Sequence, residues 1–334
     1  MLEMMLGAGV PLGDDLLFTG TAESDGRLRS LDPSSQQENW SIRPYTDRGV
    51  RAIAVSESGR VFASFDGNDS ASSGAGTGGS TVVTYPPGGG AGEVVYQALI
   101  ETSITGLDCD PSGDAIYLTH RGSNRAKQYV RKVRVSDGIT LWSREPLLDT
   151  YNDYVFDLSL SPGGSHVYVL GAYIFKLDSS TGAIISKEYR GATANRYMRI
   201  VCGEEFVYST TSSGVLAHNK TTLLQEHSYS LGSSCWGLSM SPDGDVIVTS
   251  QSGNIAKLTP SLGLVWQKTS SITPLTQAKV GKSGDVYVAT GGNGSSFEGL
   301  VRVYDSDGNF KHYFAASNDQ DVVSLGIYQP WLAA

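Results

Sequence analysis

The sequence contains few cysteines and no long apolar run. Of its 334 residues only Cys109, Cys202 and Cys235 are cysteines, and no Cys-x-x-Cys spacing occurs. We therefore expect free thiols, buried or partly buried, in a protein that needs no oxidising compartment. Every apolar run falls well short of the ~18 residues that span a membrane, so no membrane insertion is predicted.

Positive charge is also scarce. Lysine and arginine number 25 against 34 acidic residues, which gives a net charge of −9 and argues against a nucleic-acid partner. The opening Met1–Leu6 has no basic region, so no secretory signal is predicted. The five histidines are scattered, and neither a nucleophile elbow nor a phosphate loop is present, so no catalytic residue and no metal ligand is assigned.

A β-rich segment of five residues, the pentad, in contrast occurs seven times. The copies are Leu16–Gly20, Arg60–Ser64, Ala115–Thr119, His166–Leu170, Phe206–Thr210, Asp245–Thr249 and Asp285–Ala289. Their central residues are 44, 55, 51, 40, 39 and 40 positions apart along the chain. A repeat of about 40 residues built from short β-runs is typical of a β-propeller with one four-stranded sheet per repeat.

Each repeat follows one pattern of four strands, A to D. An apolar strand A leads through a tight glycine turn to the pentad, which is strand B, and an Asp-to-Gly turn then joins strands C and D. Trp142 and Trp266 fall in strand D and are predicted to pack between neighbouring blades. The same alignment places Cys109 at the end of a strand, Cys235 at the start of one and Cys202 at a turn.

The two ends of the chain complement each other. The N-terminal portion supplies strands B, C and D of one blade, whereas Val322–Ile327 reads as a lone strand A. We predict an all-β, seven-bladed propeller of four-stranded antiparallel blades, closed by pairing these ends, in a single domain over residues 14–334. Residues 1–13 lie outside it as either a disordered arm or an apolar peg that docks on a partner. The apolar residues of that peg are Met1, Leu2, Met4, Met5 and Leu6.

The B–C and D–A loops vary most in length and share one face, where we expect binding. The candidate residues are Asp66, Arg121, Arg125, Tyr151, Asp153, Tyr154, Arg196 and Tyr197. Carboxylates beside aromatic rings can hold a sugar, or they can hold Ca²⁺, which is the only candidate cofactor. The alternative is that these residues belong to a solvated loop. One basic cluster is present, and it is either a phosphate or polyanion site or a solvated outer strand. Its members are Arg121, Arg125, Lys127, Arg131, Lys132 and Arg134.

Several segments resemble known propeller families. The hairpin Lys176–Ala183, with Trp142 and Trp266 at equivalent strand D positions, resembles quinoprotein-type repeats. Ser161–Val169 and Ser241–Val248 are similar to the "YVTN" family of propellers. The resemblance implies a propeller fold. For quinone-dependent dehydrogenases of that superfamily it also implies calcium and a cofactor held by an adjacent-cysteine pair, which this chain lacks.

The opening Met1–Gly9 resembles that of small virion proteins of tailed bacteriophages, some of which carry propellers in the tail. We expect a non-enzymatic interaction subunit of a larger assembly, such as a phage tail or tail-tip protein of the virion. Its partners would be other protein subunits or a surface glycan. The alternatives are a metal-dependent lactonase or quinoprotein-like enzyme working from the channel mouth, and a cytoplasmic propeller scaffold.

Overall fold

The computed structural model describes residues 16–21, 26–45, 48–65, 79–98, 103–121, 128–145, 155–190, 198–291, 299–315 and 322–327. These residues form seven four-stranded antiparallel sheets arranged as the blades of a ring. Within these ranges no helix is long and apolar enough to cross a membrane. The predicted all-β, seven-bladed propeller is confirmed.

The first four blades comprise strands β1 to β15 and one strand from the end of the chain. Blade 1 contains β28 (Val322–Ile327), β1 (Leu17–Thr21), β2 (Leu28–Asp32) and β3 (Gln37–Ile42). Blade 2 contains β4 (Val50–Val55), β5 (Val61–Phe65), β6 (Thr81–Tyr85) and β7 (Glu93–Gln97). Blade 3 contains β8 (Ser103–Cys109), β9 (Ala115–Arg121), β10 (Gln128–Arg134) and β11 (Thr140–Arg144). Blade 4 contains β12 (Asp157–Leu160), β13 (His166–Leu170), β14 (Tyr173–Asp178) and β15 (Ile184–Tyr189).

The remaining three blades are each continuous in sequence. Blade 5 contains β16 (Ile200–Cys202), β17 (Phe206–Thr210), β18 (Gly214–Asn219) and β19 (Gln225–Ser230). Blade 6 contains β20 (Cys235–Met240), β21 (Val246–Ser250), β22 (Asn254–Leu258) and β23 (Leu264–Thr269). Blade 7 contains β24 (Leu275–Val280), β25 (Val286–Thr290), β26 (Leu300–Tyr304) and β27 (Phe310–Ala315).

The ring closes as predicted, by pairing the two ends of the chain. β28 runs antiparallel to β1 and places Gly326 opposite Phe18 and Leu325 opposite Thr19. The closing blade shares a buried apolar cluster with Tyr287 and Val301 of blade 7. Because β28 supplies the missing inner strand, blade 1 has the same four strands as the other blades.

The strands that carry the repeated pentad form the centre of each blade. Every residue of β1, β5, β17, β21 and β25 is buried, because neighbouring blades cover both faces of these strands. The central residues of the pentads, all at most 1% exposed, are Phe18, Phe62, Tyr117, Tyr168, Tyr208, Ile247 and Tyr287. The core is therefore a series of apolar layers between blades.

The Asp-to-Gly turns between strands C and D form by local hydrogen bonding, as predicted. Asp178 Oδ1 accepts the backbone N–H groups of Ser180 at 3.0 Å and Thr181 at 2.8 Å, and Gly182 adopts a φ of 69°. Hydrogen bonds from the hydroxyl groups of Ser180 and Thr181 also lower the pKa of Asp178, to about 2. In the corresponding turn of blade 7, Asp305 Oδ1 accepts the backbone N–H groups of Asp307 at 3.0 Å and Asn309 at 2.8 Å.

Tryptophans of strand D fasten each of three blades to the next, which confirms their predicted packing between blades. The indole N–H groups of Trp40, Trp142 and Trp266 donate to the carbonyl oxygens of Pro87, Ser179 and Ser306 at 3.0, 3.0 and 2.9 Å. Each ring lies against the glycine of that turn, where a Cβ atom would meet the ring at 2.6–2.8 Å. These glycines are Gly89, Gly182 and Gly308.

Two other blade junctions have a leucine in the turn in place of the glycine and no tryptophan in the neighbouring strand D. In the turns of blades 5 and 6, Leu223 and Leu262 take the positive φ, and both are buried. The preceding outer strands then carry Ser186 and His227 at the register position of the tryptophan. These five junctions are thus filled either by a tryptophan over a glycine or by a leucine from the turn itself. The remaining two have Tyr96 and His312 at the tryptophan position.

Two inner strands were not recognised in the sequence. Cys109 ends β8 and Cys235 begins β20, as predicted, but Cys202 ends the three-residue strand β16, so its placement at a turn was wrong. In blade 7, Gln277 and Lys279 interrupt the apolar pattern of β24. All three cysteines are buried and free, as expected.

Candidate functional site

The innermost strands of the seven blades surround a cavity on the axis of the ring. Residues of β4, β8, β12, β16, β20, β24 and β28 all line it, and its volume is about 230 Å³. Each of these strands pairs on one side only, with strand B of its own blade. The backbone groups along the other edge must find partners elsewhere, which explains why polar side chains occur in these strands.

Two carboxylates serve this purpose. Asp108 Oδ2 accepts the N–H of Leu160 in the next blade at 2.9 Å. Asp157 Oδ2 accepts the N–H of Ile200, again one blade further, at 3.1 Å. These bonds join blade 3 to blade 4 and blade 4 to blade 5 along the wall of the cavity.

The closing junction between blades 7 and 1 is held in the same way. Gln277 Oε1 accepts the N–H of Leu325 at 2.8 Å, and Thr276 Oγ1 donates to the carbonyl oxygen of Val322 at 2.7 Å. The last strand of the chain is therefore bonded to blade 7 as well as to β1. Side-chain bonds of this kind fix the spacing of the inner strands.

Glycine allows the inner strands to approach closely. A Cβ atom on Gly106 would lie 2.9 Å from both Asp157 Cα and Leu158 N of the next blade. One on Gly237 would lie 2.8 Å from Ala278 N. Because these neighbours are backbone atoms, a larger residue would force the blades apart and widen the axial cavity.

Two cationic side chains line the cavity without a direct partner in the described part of the chain. Lys279 lies in β24, and Arg199 immediately precedes β16. Neither side chain donates a hydrogen bond or forms an ion pair within 4.0 Å there. The Nε–H of Arg199 is buried and lacks an acceptor. The wall of the cavity thus presents N–H groups that donate no hydrogen bond to the described residues.

Enclosure perturbs the ionisable groups of this wall. Burial raises the pKa of Asp157 to about 6, although the charge of Arg199 acts in the opposite direction. Burial also raises the pKa of Asp108, against the hydrogen bonds from Leu160 and Cys109. For Lys279, burial lowers the pKa, and the two carboxylates partly offset that effect. Burial thus disfavours the charged forms of these groups, and the neighbouring opposite charges partly offset it.

The described residues supply no metal centre or activated nucleophile at the axis. Nowhere in the described ranges do three His, Cys, Asp or Glu side chains come together as ligands. Cys109 and Cys202 line the cavity, but burial raises the pKa of Cys109 well above its usual value and that of Cys202 to about 12, so both are thiols. The donor set that the lactonase or quinoprotein alternative requires is therefore not found among these residues.

The circumference of the ring has a different character. In every blade, strand D carries a β-bulge at the same point of its pairing with strand C. Exposed apolar side chains cluster at and beside these bulges. This outer apolar rim consists of Val94, Ile139, Leu141, Ile184, Ile185, Leu224, Leu264, Val265 and Phe310.

The blades differ in the polarity of the residues at the bulge. Blade 4 places Ile184 and Ile185 there, and blade 6 places Leu264 and Val265 at the same register. The side chains of these four residues are 36–53% exposed. Blade 5 carries Gln225–Glu226 instead, and blade 1 carries Glu38–Asn39. The fold therefore accepts polar residues at this position, and the apolar ones are not required by it.

Most residues predicted as a binding site lie outside the described residues. This holds for Asp66, Arg125, Tyr151, Asp153, Tyr154, Arg196 and Tyr197, and for the docking residues Met1, Leu2, Met4, Met5 and Leu6. Arg121 ends β9, and its side chain is not described. The loop-face site therefore stays a prediction.

Described members of the basic cluster make separate contacts. Lys132 Nζ donates to the Ser179 carbonyl at 3.3 Å, Arg134 pairs with Asp137 at 3.0 Å, and Arg131 lies over the ring of Tyr129. These three side chains do not converge on one site.

The charged residues that line the axial cavity were not predicted from the sequence, although the position of two of them could have indicated it. Asp108 and Asp157 both fall inside segments recognised as strand A, which was expected to be apolar. A charged side chain in a strand enclosed by neighbouring blades needs a hydrogen-bond or ionic partner. Because strand A is the innermost strand, such a residue indicates a polar site at the axis. Lys279 and Arg199 had no such signal, because their strands were not recognised.

No protein-family model matches this chain, and no curated protein is similar to it in sequence. Its fold, however, resembles solved structures. BamB from Moraxella catarrhalis is 14% identical over 93% of this chain and 85% of that chain, with a TM-score of 0.58. The C-terminal WD40 domain of Sif2 is 14% identical over 95% and 87%, with a TM-score of 0.63. A chain of a mitotic checkpoint complex is 10% identical over 83% and 80%, with a TM-score of 0.66. At these identities the likeness shows the propeller fold alone.

Proposed function

We propose that this chain is a non-enzymatic interaction subunit of a larger protein assembly, bound through the outer apolar rim. The observation that carries the proposal is the pair of exposed apolar dipeptides Ile184–Ile185 and Leu264–Val265. Blades 1 and 5 show that the same positions can be polar. Clustered apolar exposure that the fold does not require is characteristic of a protein-binding surface.

Most of the rim forms two arcs. One runs over blades 2 to 4 and ends with Ile185, and the other covers blades 6 and 7 and includes Val265 and Phe310. Glu38 of blade 1 separates them on one side, and on the other side Glu226 of blade 5 does so, where the rim keeps only Leu224. Fully burying an exposed apolar side chain contributes about 1.5–3 kcal/mol, and the rim residues are 36–58% exposed, so each would contribute roughly half of that on binding. A partner that covers all the residues of one arc would therefore gain enough to bind.

The partner that fits best is another protein with an apolar ridge and a basic surround. The net charge of −9 favours association with a basic surface and opposes association with an acidic one. The regular bulges also turn the outer strand edges away from β-pairing, so side chains rather than backbone groups would make the contact.

The test compares rim variants within the native assembly. Ile184→Gln combined with Ile185→Glu gives blade 4 the residues that blade 5 carries. We expect this variant to fold normally and to lose its stoichiometric partner, with an affinity about 100-fold weaker, as measured by sedimentation of the isolated complex. Gln225→Ala with Glu226→Ala changes the same positions in blade 5 and should leave the complex intact.

A complex that survives polar substitution of both arcs would contradict binding through the rim. Native protein that migrates only as a free monomer in a fresh extract would contradict the assembly proposal as a whole. Cross-linking sharpens the distinction, since Lys268 in β23 lies on the rim strand whereas Lys282 lies in an A–B turn. Partner cross-links should favour Lys268.

We further propose that the assembly is a tailed-phage virion and that residues 1–13 provide a second attachment. Support comes from the apolar residues Met1, Leu2 and Met4 in the opening segment. Deletion of residues 1–13 should leave the thermal stability of the propeller unchanged and reduce its incorporation into particles. Equal incorporation of both forms would remove this attachment. Finding the protein only in the cytoplasm of cells would remove the virion assignment.

A further inference from the structure

We infer that the axial cavity binds a small oxyanion, a molecule bearing a carboxylate or phosphate group, between Lys279 and Arg199. This site is separate from the proposed function, because no residue of the cavity wall belongs to the outer apolar rim. The wall has more unused hydrogen-bond donors than unused acceptors among the described residues. This difference indicates a ligand that supplies acceptors.

The acidic side chains of the wall already have donors. Asp108 accepts the N–H groups of Leu160 and Cys109, each at 2.9 Å, one on each carboxylate oxygen. Asp157 accepts the N–H of Ile200 at 3.1 Å. Their main role is therefore to join adjacent blades, which leaves them less able to pair with the cations of the cavity.

The cationic side chains, in contrast, have donors to spare. Among the described residues, the Lys279 ammonium group has three N–H donors and no acceptor within hydrogen-bond distance. The buried Nε–H of Arg199 is also without an acceptor. A buried N–H in this state costs free energy that a ligand oxygen would recover. Guanidinium and ammonium groups together are the usual partners of carboxylate and phosphate oxygens.

Charged groups of both signs line the cavity. Three cationic side chains share the wall with the two inter-blade carboxylates and with Glu57 and Asp110, so carboxylates outnumber cations by four to three. Arg51 already has a partner, which leaves Lys279 and Arg199 as the cations available to an anion. Glu57 and Asp110 lie by the A–B turns, where Asp110 accepts the N–H of Ala115 at 3.0 Å. Burial alone disfavours the charged form of Lys279, and a bound anion would restore the balance.

The size of the cavity sets the class of ligand. A volume of about 230 Å³ equals that of about eight water molecules at ~30 Å³ each. Inorganic phosphate or a small organic acid fits this space. The cavity is thus suited to a compact anion that contacts several blades at once.

Calorimetric titration tests the site with two probes, sodium phosphate and sodium citrate, each against sodium chloride of equal ionic strength. We expect saturable binding of at least one probe to the wild-type protein. Lys279→Gln should weaken it by about tenfold to a hundredfold, since a hydrogen bond to a charged group is lost. Lys268→Gln, on the outer strand β23, removes the same charge and should leave the affinity within about twofold.

Two further measurements keep the test decisive. Lys279→Arg retains the cation and should retain binding, which separates loss of charge from loss of fold. If Lys279→Gln does not fold, a crystal structure of the wild-type protein grown in phosphate replaces it, and density bridging Lys279 and Arg199 supports the site. Absence of binding by both probes, equal weakening by Lys279→Gln and Lys268→Gln, or phosphate found only elsewhere as an adventitious ion would overturn it. None of these results affects the rim proposal.

Discussion

The strands nearest the axis and the strands at the circumference differ in a way that burial alone does not predict. Around the axis, Asp108, Asp157 and Lys279 are enclosed by all seven blades, whereas at the circumference Ile185 and Val265 are about half exposed. The inner strands need polar side chains because one edge of each is left without a β-partner. The outer strands also have one edge without a β-partner, but that edge faces solvent, and water can satisfy its backbone groups. Their exposed apolar side chains therefore point to something outside the molecule.

The outer strand itself contains both environments side by side. Trp142 is 8% exposed and bonded to Ser179, while the neighbouring bulge residue Leu141 is 46% exposed. Trp142→Ala should cost about 3–5 kcal/mol, because it removes a large buried ring and an inter-blade hydrogen bond. Leu141→Ala should cost less than about 1 kcal/mol. Urea denaturation measures both, and similar losses would show that the bulge residue is part of the core.

Close packing at the axis gives the next largest effect. Gly237→Val should cost about 3 kcal/mol, since a Cβ atom there would meet Ala278 N at 2.8 Å and the blades cannot separate without breaking the ring. Gly88→Ala provides the control, because no atom lies within 4 Å of a Cβ at that turn. Its free energy of unfolding should stay within about 0.5 kcal/mol of the wild type. A Gly237→Val protein of wild-type stability would mean that the inner strands are not tightly spaced.

The inner-wall acid Asp157 should make stability depend on pH. Its folded-state pKa of about 6 lies above the ordinary value of 3.8, so its contribution to stability is present below about pH 4 and is lost as pH rises through 6. Asp157→Asn can still accept the N–H of Ile200 and carries no charge. The variant should therefore gain about 1–3 kcal/mol relative to the wild type between pH 4 and pH 7.5. Denaturation at both pH values measures this, and a difference that does not change with pH would refute the raised pKa.

The turn acid Asp178 should behave in the opposite way and more weakly. Hydrogen bonds from Ser180 and Thr181 lower its pKa to about 2, so its contribution is present above pH 4 and is lost as pH falls through 2. The side chain is exposed at the tip of its hairpin, and solvent screening keeps the effect small. Asp178→Asn should therefore be slightly less stable at pH 7, with the difference vanishing near pH 2. Carboxylate titration by NMR would find Asp157 and Asp178 on opposite sides of 3.8 if the two regions differ as described.

Much of the architecture was predictable from local patterns. The pentad around Tyr168, the glycine turn at Gly164 and the Asp178–Gly182 hairpin each depend on residues close together in sequence. Their turn chemistry and alternation define one blade without reference to the others. The short strand β16 and the polar strand β24 escaped recognition because their neighbours in space, not their own residues, make them strands.

The candidate sites were less predictable. Asp108 and Lys279 are far apart in sequence and share the axis only because the ring is closed. Exposure of Ile184 depends on the bulge in β15, since an apolar residue in a propeller strand is more often covered by the next blade. Neither property follows from composition or repeat spacing.

The sequence by itself determined the number of blades, the strand order within them and the pairing of Val322–Ile327 with the first strand, because hydrophobic periodicity and turn residues act over short distances. Only the tertiary structure decided that, among the described residues, Lys279 and Arg199 are left without acceptors and the outer apolar rim is left uncovered. Both depend on distances between atoms of different blades, and those distances exist only once the seven sheets are packed around one axis.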